Sequence, residues 1–326
     1  MRYAILGGGG VFGNWLAKHL LEQDKASRVL SIGRNPRADA PFTLGVGEGD
    51  PRYQYHQIHL TFETDRLIEL FDHEKPDIVV NFAALAYATS WTKSARYYDT
   101  NVMALVRLCE DLKKRDWLKR FVQIGTSELY GPVWKPASED HPLKPTSPYA
   151  VSKLCGDLHL QTLFDGEGFP MNIVRPSNCY APGQLLYRII PRAVWCALTG
   201  HKLPLEGGGA ARKSYMHADD LAKAIVTVIE RGKIGDTYNC GPENPCTVRN
   251  LVSLVSHHTK VAWDDLVEFT EARKNEDGQY WLQSDKIRQL GWTPSIQLKD
   301  GIGGMVEWGK RYLNQLPAPT GFVLRA

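Results

Sequence analysis

Tyr149 and Lys153 stand four positions apart in a segment that opens as a helix at Ser147 and Pro148. Residues four apart share one face of a helix, so the phenol and the ammonium are neighbours. A neighbouring ammonium favours the phenolate and lowers the pKa of a tyrosine from its ordinary value of about 10. Such a phenolate can take the proton of an alcohol while a hydride leaves the same carbon for a nicotinamide ring. Without a dinucleotide site in the same chain, this spacing would indicate only a surface Tyr–Lys pair.

A glycine-rich loop predicts that dinucleotide site. Gly7, Gly10 and Gly13, with Val11 and Phe12 before the last of them, directly follow an apolar segment and directly precede a helical one. In dinucleotide-binding folds the first glycine permits a tight turn, the second lets the backbone approach a pyrophosphate, and the third allows close packing of helix on strand. The helix N-terminus then offers free N–H groups to the phosphates. We therefore predict a bound dinucleotide here rather than a plain strand–helix turn.

The residues after the second apolar segment indicate which dinucleotide binds. An acid at this place accepts hydrogen bonds from the adenosine ribose 2′-hydroxyl. A 2′-phosphate needs a cation instead, and a guanidinium can bind it in a bidentate manner. The chain has Gly33, Arg34 and Asn35 here, with no acid. Arg34 therefore predicts NADP, with NAD as the alternative if Arg34 is a solvated loop residue.

A second group of polar side chains comes after the apolar segment 120–124. Thr126, Ser127 and Glu128 stand directly beyond it. Ligands of a doubly wound sheet lie beyond the carboxyl ends of its strands, so these side chains are expected to face the nicotinamide and the substrate. A carboxylate at that place can act as a general base. The alternative for Glu128 is a solvated acid in a turn.

The elements that must position these residues alternate along the chain. Short apolar segments typical of buried strands lie at 2–6, 28–33, 77–82, 120–124 and 171–175, and helical periodicity lies at about 12–23, 63–73, 94–115 and 149–164. This order predicts an α/β fold with a Rossmann-like doubly wound parallel sheet. After Pro176 the pattern changes, and helices are predicted near 188–199 and 218–231. We predict a cofactor-binding domain of residues 1–178 plus about 211–240, and a smaller C-terminal substrate-binding lobe of residues 179–210 and 241–326.

Composition excludes several other classes of protein. The 326 residues are 43% hydrophobic and 23% charged with a net charge of +3, a globular balance that argues against nucleic-acid and membrane partners. No apolar run approaches a membrane span, and the six cysteines lack the spacing of a metal or redox pair. The pairs His56/His59 and His257/His258 have no further ligand at metal-binding spacing, so no metal is predicted. We expect a protein of a reducing compartment, the cytoplasm.

Ordered matches along nearly the whole chain show that it resembles a known family, the extended short-chain dehydrogenase/reductases that act on nucleotide sugars. Besides the segments already described, the resemblance rests on residues 81–84, 101–102, 129–131, 175–184, 190–192, 203–205, 207–220, 238–241 and 284–292. Within the family, the motifs are most similar to those of nucleotide-sugar 4,6-dehydratases of the GDP-mannose and dTDP-glucose types.

The resemblance implies a role for each matching residue. Thr126, Tyr149 and Lys153 would form the redox triad. Besides the glycine loop, Arg34, Tyr149 and Lys153, cofactor contacts would come from Phe82, Ala83, Ala84, Asn101 and Pro176. The nucleotide diphosphate would be held by Asn178, Arg192, Arg212 or Lys213, and Arg273. The resemblance also implies a homodimer formed through a four-helix bundle of the helices near 92–115 and 148–165.

Members of this family oxidise C4 of the sugar and differ in the chemistry after that oxidation. A 4,6-dehydratase needs a base for the C5 proton, which the new ketone acidifies, and help for the hydroxide that leaves C6. Glu128 matches the base of these dehydratases, and Ser127, which stands where the dTDP-glucose type has an acid, would assist at C6. We predict a 4,6-dehydratase that returns the hydride to C6 and gives a 4-keto-6-deoxy sugar nucleotide. The alternatives are a C4 epimerase, a UDP-glucuronate decarboxylase-like enzyme and a non-catalytic NADP sensor.

Overall fold

The computed structural model describes residues 1–86, 94–271 and 279–318. Its strands are β1 (Arg2–Leu6), β2 (Arg28–Gly33), β3 (Tyr53–Gln57), β4 (Ile78–Asn81), β5 (Arg120–Ile124), β6 (Met171–Pro176), β7 (Asn178–Tyr180), β8 (Leu203–Glu206), β9 (Arg212–Lys213), β10 (Tyr215–His217), β11 (Thr237–Cys240), β12 (Cys246–Thr247), β13 (Val267–Thr270) and β14 (Gln279–Tyr280). Its α-helices are α1 (Val11–Glu22), α2 (Ala40–Thr43), α3 (Thr64–Glu74), α4 (Ala95–Tyr98), α5 (Ala104–Leu112), α6 (Pro148–Glu167), α7 (Ile189–Thr199), α8 (Ala218–Arg231), α9 (Val248–Thr259), α10 (Trp263–Leu266), α11 (Asp285–Gln289) and α12 (Leu298–Tyr312). A π-helical segment, Asp99–Met103, joins α4 to α5.

Seven parallel strands form the central sheet in the order β11-β6-β5-β4-β1-β2-β3. This order confirms the predicted doubly wound α/β fold. The predicted strands are all present, but the prediction omits the two edge strands, β3 and β11. Neither edge strand contains the apolar run that identifies a buried strand in the sequence. Strand β3 alternates tyrosine with polar residues, and β11 has four residues, one of them the buried Asn239.

The sheet is covered on both faces because successive side chains of its strands point to opposite sides. On β1, Tyr3 and Ile5 join the apolar core formed with α1 and α8. Ala4 and Leu6 join the core on the other face, which is built with α3, α5 and α6. Because the seven strands are parallel, their carboxyl ends all lie at the same edge of the sheet, between the two covered faces.

A third apolar core belongs to the lobe, where α7, α9 and α12 pack together with β8 and β13. Two parts of the chain after residue 210 instead lie against the central sheet. Helix α8 packs on α1, and β11 completes the sheet. Ile287 of α11 and Trp292 also join the core beside α1, although they fall within the range predicted for the lobe.

The lobe is attached to the segment beyond β2. The indole Nε1 of Trp308 on α12 donates to the carbonyl of Pro41 at 2.8 Å, and both groups are buried. Phe42 packs into the core of the lobe. Gly183 has a φ of +90°, and a Cβ there would lie 2.8 Å from the Phe42 carbonyl oxygen. Across the described ranges, no helix is long and apolar enough to cross a membrane.

Candidate active site

The glycine loop brings β1, the segment after β4 and α1 into close contact. Gly7 has a φ of +76°, and a Cβ there would lie 2.9 Å from the amide nitrogen of Ala83. A Cβ on Gly13 would lie 2.6 Å from the Cα of Gly8. Gly10 is the N-cap of α1 and makes no side-chain capping bond, and the first turn of α1 carries no acid. The exposed N–H groups and the dipole of α1 therefore suit an anion such as a pyrophosphate.

A groove of about 450 Å³ runs from this loop across the carboxyl edge of the sheet. The glycine loop, Phe82, Ala83 and Ala84 line one side, and Arg34 lies at the end beyond β2. Among the described residues of its wall there is no carboxylate. Arg34 is exposed, whereas its neighbour Arg37 is held by the Val46 carbonyl and lies over the Tyr53 ring. These residues fit a dinucleotide with a cation at its adenosine end.

Four predicted cofactor residues do not line this groove: Tyr149 and Lys153, which are described below, and Asn101 and Pro176. Asn101 is buried and exchanges hydrogen bonds with both backbone groups of Leu85, at 2.8 and 3.1 Å. Its amide also donates to Ser152 Oγ at 2.9 Å. Asn101 thus holds the loop after β4 against α6. Pro176 lies at the end of β6 and pairs with Cys240 of β11.

Two helix starts bring the catalytic candidates together. Beyond β5, the backbone of Thr126 is extended and its Oγ1 accepts from the Glu128 amide at 3.3 Å, which caps a short 3₁₀ helix. The Ser147 side chain caps α6 by accepting from the Ala150 amide at 3.1 Å. The first turn of α6 then places Tyr149 in hydrogen-bonding contact with Thr126.

Lys153 is buried one turn further along α6, and its Nζ donates to the Ile124 carbonyl at 2.6 Å. The sequence predicts that this ammonium lowers the pKa of Tyr149. This prediction is wrong, because the pKa of Tyr149 is raised. The pKa of Tyr149 lies well above 10, because burial and then the Glu128 carboxylate disfavour the phenolate. The Thr126 hydrogen bond and the Arg188 cation act in the opposite direction.

A buried charge pair missed by the sequence analysis lies behind Lys153. Asp157 and Arg175 form an ion pair of 3.1 Å, with side chains that are 1% and 7% exposed. The carboxylate raises the pKa of Lys153, which burial lowers more strongly. Gly125 leaves room for this pair, since a Cβ there would lie 2.8 Å from the Cγ of Arg175. The signal in the sequence was the four-residue spacing of Lys153 and Asp157, which puts both on one helix face.

A second cavity of about 220 Å³ lies between β7, α7 and β9. The predicted substrate residues Asn178, Arg192 and Lys213 all line it. Arg212 does not line it, because it is exposed on the other side of β9 and donates to the Pro245 carbonyl at 3.3 Å. Arg273 lies outside the described residues.

The two cavities meet at Gln184, Tyr187 and Arg188, which line both. Arg188 precedes α7 and acts electrostatically on Tyr149, while Glu128 and Tyr149 also act on Arg188. Sequence reasoning missed Arg188, although it stands two positions before the matching segment 190–192. The site therefore joins a phenol, a carboxylate and a guanidinium, and the guanidinium lies where the dinucleotide groove meets the second cavity. In the described part of the chain, no group of three His, Cys, Asp or Glu residues is placed to hold a metal ion.

Known proteins are similar in sequence to this chain over almost its full length. The model of the NAD dependent epimerase/dehydratase family matches residues 3–241. A dTDP-glucose 4,6-dehydratase of Streptomyces griseus is 31% identical over 312 residues, which are 93% of this chain and 92% of the relative. The human dTDP-D-glucose 4,6-dehydratase is 26% identical over 317 residues, 94% of this chain and 89% of the relative.

Solved structures share the fold over almost the full length. A dTDP-glucose 4,6-dehydratase from Streptomyces venezuelae, solved with NAD bound, superposes with a TM-score of 0.90 at 28% identity, covering 97% of this chain and 99% of that one. A UDP-glucose 4-epimerase from Thermotoga maritima gives a TM-score of 0.87 at 23% identity, covering 96% and 100%, and shows the likeness of fold alone.

Proposed function

Because the chain belongs to the NAD-dependent epimerase/dehydratase family, we propose that this enzyme is a nucleotide-sugar 4,6-dehydratase. The observation that carries the proposal is the place of Glu128. It stands just beyond β5 and interacts electrostatically with Tyr149 and with Arg188, and Arg188 lines both the groove and the second cavity. A second proton acceptor beside the redox tyrosine is what an elimination at C5 and C6 requires and a simple C4 oxidation does not.

The first half of the reaction needs a base at O4. Tyr149 takes the O4 proton while Thr126, hydrogen-bonded to its phenol, orients the C4 hydroxyl. A nicotinamide dinucleotide held by the glycine loop and Arg34 would supply the hydride acceptor for C4 and the hydride donor for C6. Arg188 provides positive charge that favours the phenolate at the moment of proton transfer, and Lys153, on the same helix, completes the proposed redox triad.

The second half moves two further protons. Glu128 takes the C5 proton, whose acidity the C4 ketone raises, and the C6–O bond breaks. The departing hydroxide receives a proton and leaves as water, assisted by the buried hydroxyl of Ser127. Protonation of C5 completes the 4-keto-6-deoxy sugar. The two protons taken by Tyr149 and Glu128 thus balance the two returned to the hydroxide and to C5.

The dinucleotide is proposed to be NADP. Relatives of this fold have been solved with NAD, so a nicotinamide dinucleotide is the cofactor class. Support for the 2′-phosphate form is the exposed Arg34 at the adenosine end, with His59 beside it and no carboxylate among the described wall residues. A phosphate dianion would gain a guanidinium there, whereas a ribose 2′-hydroxyl would find no acid.

We further propose a homodimer in a reducing compartment. Met103 and Leu158, on the segment before α5 and on α6, are 44% and 54% exposed, which supports a helical interface between two copies. All six cysteines are unpaired, as expected for the cytoplasm.

We also propose that residues 1–178 plus about 211–240 form the cofactor-binding domain and that residues 179–210 and 241–326 form the substrate-binding lobe.

The test is incubation in D2O with GDP-, dTDP-, UDP- and CDP-linked hexoses, read by mass spectrometry and proton NMR. We expect loss of one water and deuterium at C5 with one of these nucleotides. Glu128→Gln should stop the exchange at C5 while leaving C4 oxidation measurable, and Tyr149→Phe should remove both. Glu307→Gln, a change of an exposed glutamate on α12, is the matched control and should behave as wild type.

The runner-up is a C4 epimerase, which uses the same Tyr149 chemistry. A product of unchanged mass with inverted C4 and no deuterium at C5 would establish that reaction and leave Glu128 without a role as base. Reversible NADP binding with no turnover of any nucleotide sugar would instead favour the sensor.

A further inference from the structure

The phenol of Tyr55, on the edge strand β3, lines the dinucleotide groove. It lies against two glycines of the groove wall. A Cβ on Gly9 would lie 2.9 Å from the phenol oxygen, and a Cβ on Gly33 would collide with it. Gly9 belongs to the glycine loop, and Gly33 ends β2. The phenol oxygen therefore lies between the loop that suits a pyrophosphate and the strand end at which dinucleotide folds bind the adenosine ribose.

The proton of this phenol is already used within the protein. Tyr55 Oη donates to the Asn35 carbonyl at 2.6 Å, and a carbonyl oxygen can only accept. A tyrosine hydroxyl carries one proton, so its oxygen can offer a ligand only a lone pair. Burial raises the pKa of Tyr55 above its ordinary value, which keeps the phenol neutral at physiological pH. Tyr55 is thus a neutral hydrogen-bond acceptor in the groove wall.

Strand β3 also fixes the turn that carries Arg34. Gln57 Nε2 donates to the Arg34 carbonyl at 3.3 Å, and Tyr55 holds the next carbonyl, that of Asn35. The guanidinium of Arg34 is exposed and makes no hydrogen bond or ion pair with any other residue that the structure describes. The phenol oxygen and the start of the Arg34 side chain are therefore held at a fixed separation, with the cation left for a ligand.

A neutral acceptor beside a cation suits a ribose that carries a 2′-phosphate. The carboxylate that binds the 2′-hydroxyl in other dinucleotide folds would repel a phosphate at that position. With O2′ phosphorylated, the 3′-hydroxyl is the one donor left on the adenosine ribose. We infer that Tyr55 accepts a hydrogen bond from this 3′-hydroxyl and so takes the place of the missing acid. The inference rests on the proposed dinucleotide site and is independent of the reaction on the sugar.

The test measures the displacement of NADPH, bound at its half-saturating concentration, by ADP, 2′-deoxy-ADP and 3′-deoxy-ADP. The fluorescence of NADPH reports the dinucleotide groove alone, so nucleotide binding in the second cavity does not interfere. For the wild-type protein, 3′-deoxy-ADP should bind about five- to tenfold more weakly than ADP, the effect of one lost hydrogen bond, and 2′-deoxy-ADP should bind like ADP.

Tyr55→Phe keeps the ring against Gly9 and removes the oxygen, so ADP and 3′-deoxy-ADP should then bind equally. Tyr53→Phe is the matched control, two residues earlier on β3. The hydroxyl of Tyr53 has no hydrogen-bond partner among the described residues, so this variant should keep the wild-type ratio of the two affinities. Each ratio compares two ligands on one variant, so a loss of stability cannot imitate the expected result.

Equal binding of ADP and 3′-deoxy-ADP to the wild-type protein would overturn the inference. A preference for ADP that persists in Tyr55→Phe would also overturn it and would move the acceptor to another wall residue, such as the exposed amide of Asn35. The NADP proposal fails separately. If 2′,5′-ADP binds no more tightly than ADP, the 2′-phosphate site is refuted, whereas the ratio for the 3′-hydroxyl still decides the role of Tyr55.

Discussion

At the scale of single residues, the reaction centre depends on charges that are removed from water. Lys153 is 2% exposed, and the carboxylate that offsets its charge is Asp157, which is itself shared with Arg175. Arg175 also donates to the Tyr130 hydroxyl at 3.0 Å, and this hydroxyl donates to Asn239 at 2.8 Å. The pair therefore ties α6 to β6 and β11 directly beneath the strand end that carries Thr126.

Replacing Asp157 by Asn should harm both stability and catalysis. The buried Arg175 would lose its counter-charge, at a cost of about 3–5 kcal/mol in the free energy of unfolding. Because Asp157 raises the pKa of Lys153, its loss should lower that pKa further, and the alkaline fall of kcat should move to lower pH. Urea unfolding and a kcat–pH profile measure the two effects, with Asp165→Asn at the exposed end of α6 as control. An unchanged pH profile would contradict the link to Lys153.

Sequence reasoning found most of the residues that meet at the centre, because helix spacing and strand ends are local features. It placed Thr126 beside Tyr149, and in the structure the two side chains are in hydrogen-bonding contact, whereas Lys153, which it paired with Tyr149, donates to the Ile124 carbonyl. It did not find Arg188, whose contact with the centre depends on how the segment before α7 crosses both cavities. It left Arg212 and Lys213 as alternatives, and the alternation of β9 turns Lys213 toward the cavity.

At the scale of elements, the packing of α1 against β1 decides whether the dinucleotide groove exists. Gly13 lies on α1 directly against Gly8, with no room for a Cβ. Gly13→Ala should therefore push α1 outward, cost about 1–3 kcal/mol of stability and abolish measurable NADP binding. Gly166→Ala on α6, where a Cβ meets nothing within 4 Å, should be neutral or slightly stabilising. Wild-type NADP affinity in Gly13→Ala, measured by fluorescence titration, would refute this account of the loop.

The elements missed by the sequence analysis share one property: their stability comes from neighbours. The edge strand β3 is held by its pairing with β2, and β11 by its pairing with β6. The helix predicted at 94–115 is interrupted by the π-helical segment Asp99–Met103. This segment contains Asn101, whose side chain accepts a hydrogen bond from the Leu85 amide in the loop after β4. Such contacts join residues far apart in the chain, and a local periodicity does not contain them.

At the scale of the whole molecule, the lobe is fastened to the loop beyond Arg34 by the bond from Trp308 to Pro41. These residues are 267 positions apart, so no sequence pattern indicated the contact. Trp308→Phe keeps the ring and removes the donor, leaving a buried carbonyl unsatisfied at a cost of about 1–3 kcal/mol. We expect a lower unfolding midpoint and weaker NADP binding, read by thermal unfolding and titration. Trp134→Phe, at a side chain that is 74% exposed, is the control, and equal midpoints for the two variants would contradict the role of the bond.

The position of β11 in the sheet has a consequence during synthesis. About sixty residues separate Pro176, the end of β6, from Thr237, the start of β11. At roughly 5–20 residues per second, a ribosome needs roughly 3–12 seconds to make them. For that interval β6, whose residues Met171 to Arg175 are all buried in the finished protein, has no partner on its outer side. A nascent chain that stalls there exposes an apolar, unpaired sheet edge, and such an edge can pair with another chain and cause aggregation.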